Sequence, residues 1–153
     1  MSATSPSPAM TTNPTGIAAR IYSVLGALLV VLVVLQIFVA GTGLFTIAHQ
    51  LDNNQNYTVS QWNNAVPWGI HFFNALAIAL VMLIMLAVAF AGRLSTQVKR
   101  FSGILIGLLV LQGILGFIPW PAPIAALHVL NAMAILAVAG AVTRSSWAFG
   151  RRT

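Results

Sequence analysis

Residues 68–91 read WGIHFFNALAIALVMLIMLAVAFA, a stretch without a single charged side chain. Crossing a hydrocarbon core of about 30 Å takes about 20 predominantly apolar residues in a helix, and this stretch supplies them. It lacks the alternation of a half-buried strand and is too long for a buried one. Three further runs share its character, over 21–48, 101–118 and 122–143. The pattern predicts an all-α membrane protein, a four-transmembrane-helix bundle, with the transmembrane domain covering 16–148.

Composition points the same way. Of 153 residues, 59% are hydrophobic and 5% charged, and the mean hydropathy is +0.92. A soluble domain needs roughly 25% charged residues to wet its surface, so most of this surface must face lipid. Seven basic residues oppose one acid, an imbalance that in another setting signals nucleic acid. Here Arg20, Arg93, Lys99, Arg100, Arg144, Arg151 and Arg152 each flank an apolar run. No basic stripe of a nucleic-acid binder forms. With no cysteine, disulfides, thiolate metal sites, iron–sulfur clusters and covalently attached c-type haem are excluded.

Residues 1–15, rich in Ser, Thr, Pro and Ala, are expected to form a disordered tail, and 149–153 a short basic one. The apolar run after Arg20 far exceeds the 7–15 residue core of a cleaved signal peptide, so a retained first helix is expected. With the N-terminus inside, every basic residue falls on one membrane face. The positive-inside rule therefore predicts cytoplasmic termini in a bacterial plasma membrane. Trp62, Trp68 and Trp120 would then form the outer aromatic belt, with Tyr22 and Trp147 at the inner interface. His49 falls in the polar 49–67 connection and is expected to be a solvated loop residue.

Polar residues inside the four spans are few and ordered. His71 and Asn74 in the second are matched by His128 and Asn131 in the fourth, each pair 57 positions apart. Aligned, IHFFNALAIALV (70–81) and LHVLNAMAILAV (127–138) share six identities, of which four are apolar and carry little weight. The His-x-x-Asn-Ala match is the specific one. VVLQIFVAG (33–41) resembles LVLQGILGF (109–117) more weakly, with Gln36 and Gln112 aligned. The chain reads as a duplicated helical hairpin related by an axis along the membrane normal.

Topology then places the histidines. The second and fourth helices both run from outside to inside, so His71 and His128 lie roughly 5–8 Å below the outer boundary. Two imidazoles at matched depth on symmetry-related helices can face one another across a bundle and ligate one iron between them. An ionisable side chain at this depth needs a partner and is a functional candidate by default. The expected cofactor is one non-covalent b-type haem, with His71 and His128 as axial ligands of a cytochrome b-like site. Gly41, Gly43, Gly113 and Gly116, near the same level, would leave room for a flat macrocycle. Asn74 and Asn131 are expected to link helices. Gln36 and Gln112 are expected to do the same or to orient a ligating imidazole. Gly103-x-x-x-Gly107 matches a helix-packing motif, and Met82 and Met85 read as core. The alternative for each histidine is a hydrogen bond to a neighbouring glutamine, worth about 0.6 kcal/mol on average. The chain would then be a cofactor-free structural or accessory subunit of a membrane complex.

The segment 105–138 resembles one four-helix half of heme A synthase. The resemblance rests on Gln112-Gly113-Ile114-Leu115-Gly116 in the third helix and on histidines in the second and fourth. It implies that His71 and His128 occupy haem-ligand positions. The family's Glu-x-x-His-Arg here reads Trp68-Gly69-Ile70-His71-Phe72, without the acid or the Arg, and Pro119-Trp120 stands near the place of its Thr-Val. The chain is also half the family's length, so the resemblance carries a haem site but not oxidation of a haem methyl group. The whole chain further resembles a family of small bacterial four-helix membrane proteins, a domain of unknown function. The cues are AGTGLF at 40–45, His71, and Leu127-His128-x-Leu130-Asn131; that resemblance implies fold and no activity. Electron transfer or haem handling is the expected role, with the lipid bilayer, a quinone or a redox subunit as partners. A stand-alone transmembrane reductase is not expected, since one haem near the outer face does not span the core.

Overall fold

The computed structural model describes residues 14–53, 66–117 and 122–146. They form four helices: α1 (Pro14–Asp52), α2 (Val66–Ala91), α3 (Thr96–Phe117) and α4 (Ala122–Ser146). Each is long and apolar enough to cross a membrane. Each packs against the next and α4 closes on α1, so α1 faces α3 and α2 faces α4 across the two diagonals. Large apolar side chains cover the outside: Phe38, Phe45, Phe73 and Phe117 are each more than two-thirds exposed. An all-round apolar surface of this kind suits lipid and would aggregate in water.

α1 begins earlier and ends later than its apolar run. Pro14 is its first residue, where a missing N–H costs nothing and the fixed φ favours the helix. At about 1.5 Å per residue, its 39 residues extend about 58 Å, almost twice a ~30 Å hydrocarbon core. His49 is therefore not in a loop: it lies in the last turn of α1, where Asn53 Nδ2 donates to its main-chain carbonyl at 2.8 Å. Residues 1–13 and 149–153 of the expected tails, most of the outer connection, residues 119–121 of the Trp/Pro turn expected over Pro119–Pro123, Trp62, Trp120 and Trp147 lie outside the described residues.

The core repeats with the sequence. The buried positions Asn74, Ile78, Met82 and Met85 of α2 have buried counterparts 57 positions on, at Asn131, Ile135, Ala139 and Val142 of α4. Tyr22 departs from its expected place in the aromatic belt. It is fully buried, and its hydroxyl lies 2.8 Å from Ser102 Oγ on α3. Ser102 in turn donates to the carbonyl of Val98 at 3.1 Å. A phenol can sit inside because the facing serine supplies a partner for its hydroxyl.

The α2–α3 turn shows how two neighbouring residues divide incompatible demands. Arg93 N–H donates to Phe90 O at 3.1 Å and Leu94 N–H to Ala89 O at 3.0 Å, the paired bonds of a Schellman cap. Glycine is usual at the left-handed position, yet here Arg93 holds it, with φ 50°. Gly92 sits one residue earlier because a Cβ there would lie 2.5 Å from Ala18 Cβ and 2.7 Å from Val88 O. Close approach of α1 takes the glycine, and the arginine takes the strained backbone.

Candidate functional site

The second turns of α2 and α4 bring His71 and His128 together. Their ring centroids are 6.4 Å apart with planes inclined at 43°. The two helices are diagonal, so the imidazoles meet across the bundle axis. Each ring buries an Nδ1 that makes no hydrogen bond of full geometry, although the Gln36 main chain lies close enough to the His71 ring, and the Gln112 main chain to the His128 ring, to act as a weak partner. His71 also stacks on Trp68, centroids 5.5 Å apart and planes within 12°.

One turn deeper, each hairpin closes a carboxamide clamp. In the first, Asn74 Nδ2 donates to Leu32 O at 2.9 Å and to Gln36 Oε1 at 2.6 Å. In the second, Asn131 Nδ2 donates to Leu108 O at 2.9 Å and to Gln112 Oε1 at 2.6 Å. The duplication visible in the helices thus extends to acceptors and distances. The clamps diverge at their last bond. Gln36 Nε2 donates to the main-chain carbonyl of His71 at 2.9 Å, whereas Gln112 Nε2 lies 2.9 Å from Nε2 of the His128 ring.

Of the glycines expected to open a slot, Gly116 has a defined role at the site. A Cβ there would lie 2.9 Å from Cε1 and 3.2 Å from Nδ1 of His128, so α3 approaches the ring as closely as only glycine permits. Gly113 and Gly41 face open space, and Gly43 only touches Pro67. Gly103 and Gly107 also meet nothing, so their motif packs against no helix among the described residues. Met82 and Met85 are core. An open groove of about 480 Å³, lined by Ala27, Val30, Gly140, Thr143 and Arg144, lies at the opposite end of the bundle from the histidines.

The geometry tests which cofactor the pair fits. A centroid separation of 6.4 Å is wide enough for one metal between two imidazoles at metal–nitrogen bonds of about 2 Å; in this structure His128 Nε2 is turned to Gln112 and its Nδ1 lies beside Gly116. Among the described residues no third His, Cys, Asp or Glu joins the pair. A bare zinc ion wants three or four protein ligands, whereas a porphyrin brings four equatorial nitrogens and leaves two axial places for histidines. Comparison with protein-family models, curated proteins and solved structures gives no match, so the reading rests on this geometry.

Proposed function

We propose that the chain is a multi-pass membrane protein that binds one b-type haem between His71 and His128 and serves electron transfer or haem handling. The observation that carries this reading is the facing imidazole pair, with ring centroids 6.4 Å apart across the bundle. Haem bound there would supply one-electron exchange. The chain's own part is to hold and shield. Gln36 fixes the His71 backbone, Asn74 and Asn131 lock each hairpin, and Trp68 covers one face of the His71 ring.

The charge pattern supports cytoplasmic termini and a plasma-membrane location, with the histidines near the outer face. Because the chain lacks cysteine, single cysteines introduced at Asn53 and Gln97 can be mapped with a membrane-impermeant maleimide; labelling of Asn53→Cys alone in intact cells is the expected result. One haem near one surface does not bridge a ~30 Å core, so a quinone or a redox subunit would complete any path across the membrane.

Spectra of the detergent-purified protein, oxidised and dithionite-reduced, test the haem. The reading expects a Soret band and a sharp low-spin α-band, the latter lost in both His71→Ala and His128→Ala. A colourless protein from haem-replete cells would overturn it and favour the accessory-subunit alternative, for which the complete carboxamide clamps already supply interhelical bonds.

A further inference from the structure

We infer that Gln112 is a positioning residue that holds His128 in its Nδ1–H form, making the two histidines unequal in spite of the repeat. The argument is one of hydrogen-bond direction. A main-chain carbonyl can only accept, so the Asn131 atom 2.9 Å from Leu108 O is the amide nitrogen. That nitrogen also lies 2.6 Å from the Gln112 side chain, which must therefore present its oxygen. The Gln112 nitrogen then points the other way and meets His128 Nε2 at 2.9 Å. An amide NH₂ donates and does not accept. Nε2 of His128 must consequently offer its lone pair, and the proton of the neutral ring resides on Nδ1. Turning the Gln112 amide round would set its NH₂ against that of Asn131, so the whole chain is locked from Leu108 outward.

In the first hairpin the equivalent donor goes elsewhere. Gln36 Nε2 is directed to the His71 main-chain carbonyl, so the Gln36 side chain engages no lone pair of the His71 ring. Resting on the haem reading above, the consequence is a division of labour. His71 can present a ring lone pair to iron without breaking a glutamine bond. His128 has its free lone pair engaged by Gln112 and its other nitrogen protonated, so Gln112 and iron compete for it. With haem bound, His71 would be the firmer ligand and His128 the one more readily displaced.

Two measurements test this separately. On haem-free, ¹⁵N-histidine-labelled protein, long-range ¹H–¹⁵N correlation should show His128 protonated at Nδ1 and bare at Nε2. Gln112→Leu should abolish that preference, and Gln36→Leu should leave the His71 pattern unchanged. A His128 ring protonated at Nε2 in the unaltered protein overturns the inference whether or not the variants fold. On haem-loaded protein, His71→Ala should lose haem, while His128→Ala should keep it and bind carbon monoxide when reduced. Gln112→Leu should weaken carbon monoxide binding by up to about tenfold, the worth of one released hydrogen bond. Equal haem loss in both histidine variants, with carbon monoxide affinity unchanged in Gln112→Leu, would overturn the division of labour. Absence of any Soret band alongside the Nδ1–H form would uphold the tautomer and remove the haem reading instead.

Discussion

At the scale of single residues, the site is defined as much by what Gly116 lacks as by what His128 carries. A methyl at position 116 would sit 2.9 Å from the imidazole, and the ring must move to admit it. Gly116→Ala is therefore expected to disturb the low-spin spectrum with little effect on the amount of folded protein, checked by absorption and size-exclusion chromatography. Asn131→Leu removes two interhelical bonds, and at about 0.6 kcal/mol each it should cost roughly 1 kcal/mol in detergent–SDS unfolding. Asn74→Leu should cost about as much, because its two bonds match within 0.1 Å. The histidine and asparagine pairs were legible in the sequence because few polar groups enter a lipid-facing helix without cause. The divergence of Gln36 and Gln112 was not. Identical residues at equivalent positions differ only in which acceptor the last turn places within reach.

At the scale of the element, the α2–α3 turn is overdetermined. Gly92→Ala would drive a methyl to 2.5 Å from Ala18 Cβ and should lower the unfolding midpoint by prying α1 from α2. Arg93→Gly should raise it, since left-handed backbone costs an L-residue about 1–2 kcal/mol. Lys99, just after this turn, lies over the Phe90 ring at 5.4 Å. Span number and approximate limits followed from hydropathy, which reports what lipid tolerates. It did not report where helices end, because the polar turns of α1 beyond Ala48 continue the backbone hydrogen bonds in a region where apolar character is no longer needed. Tyr22 was misplaced for a related reason: aromatic residues near span ends commonly mark interfaces, and only the facing Ser102 reveals that this one turns inward.

At the scale of the molecule, the described residues include a polar or ring contact across each diagonal, one near each end. The His71–His128 pair joins α2 to α4, and Tyr22–Ser102 joins α1 to α3. Tyr22→Phe should cost about 0.6 kcal/mol in the same unfolding assay and leave the haem spectrum untouched, since the hydroxyl lies at the end remote from the histidines. A spectral change in that variant would show the two ends to be coupled.

The carboxamide clamps have a consequence for biosynthesis. Each closes entirely within its own hairpin, so the ribosome can deliver α1 and α2 to the translocon as a pair whose amides are already satisfied before α3 emerges. The second pair can follow by the same route. The imidazoles and the Tyr22 hydroxyl must await the other half, which makes these two meetings the events that register assembly as complete.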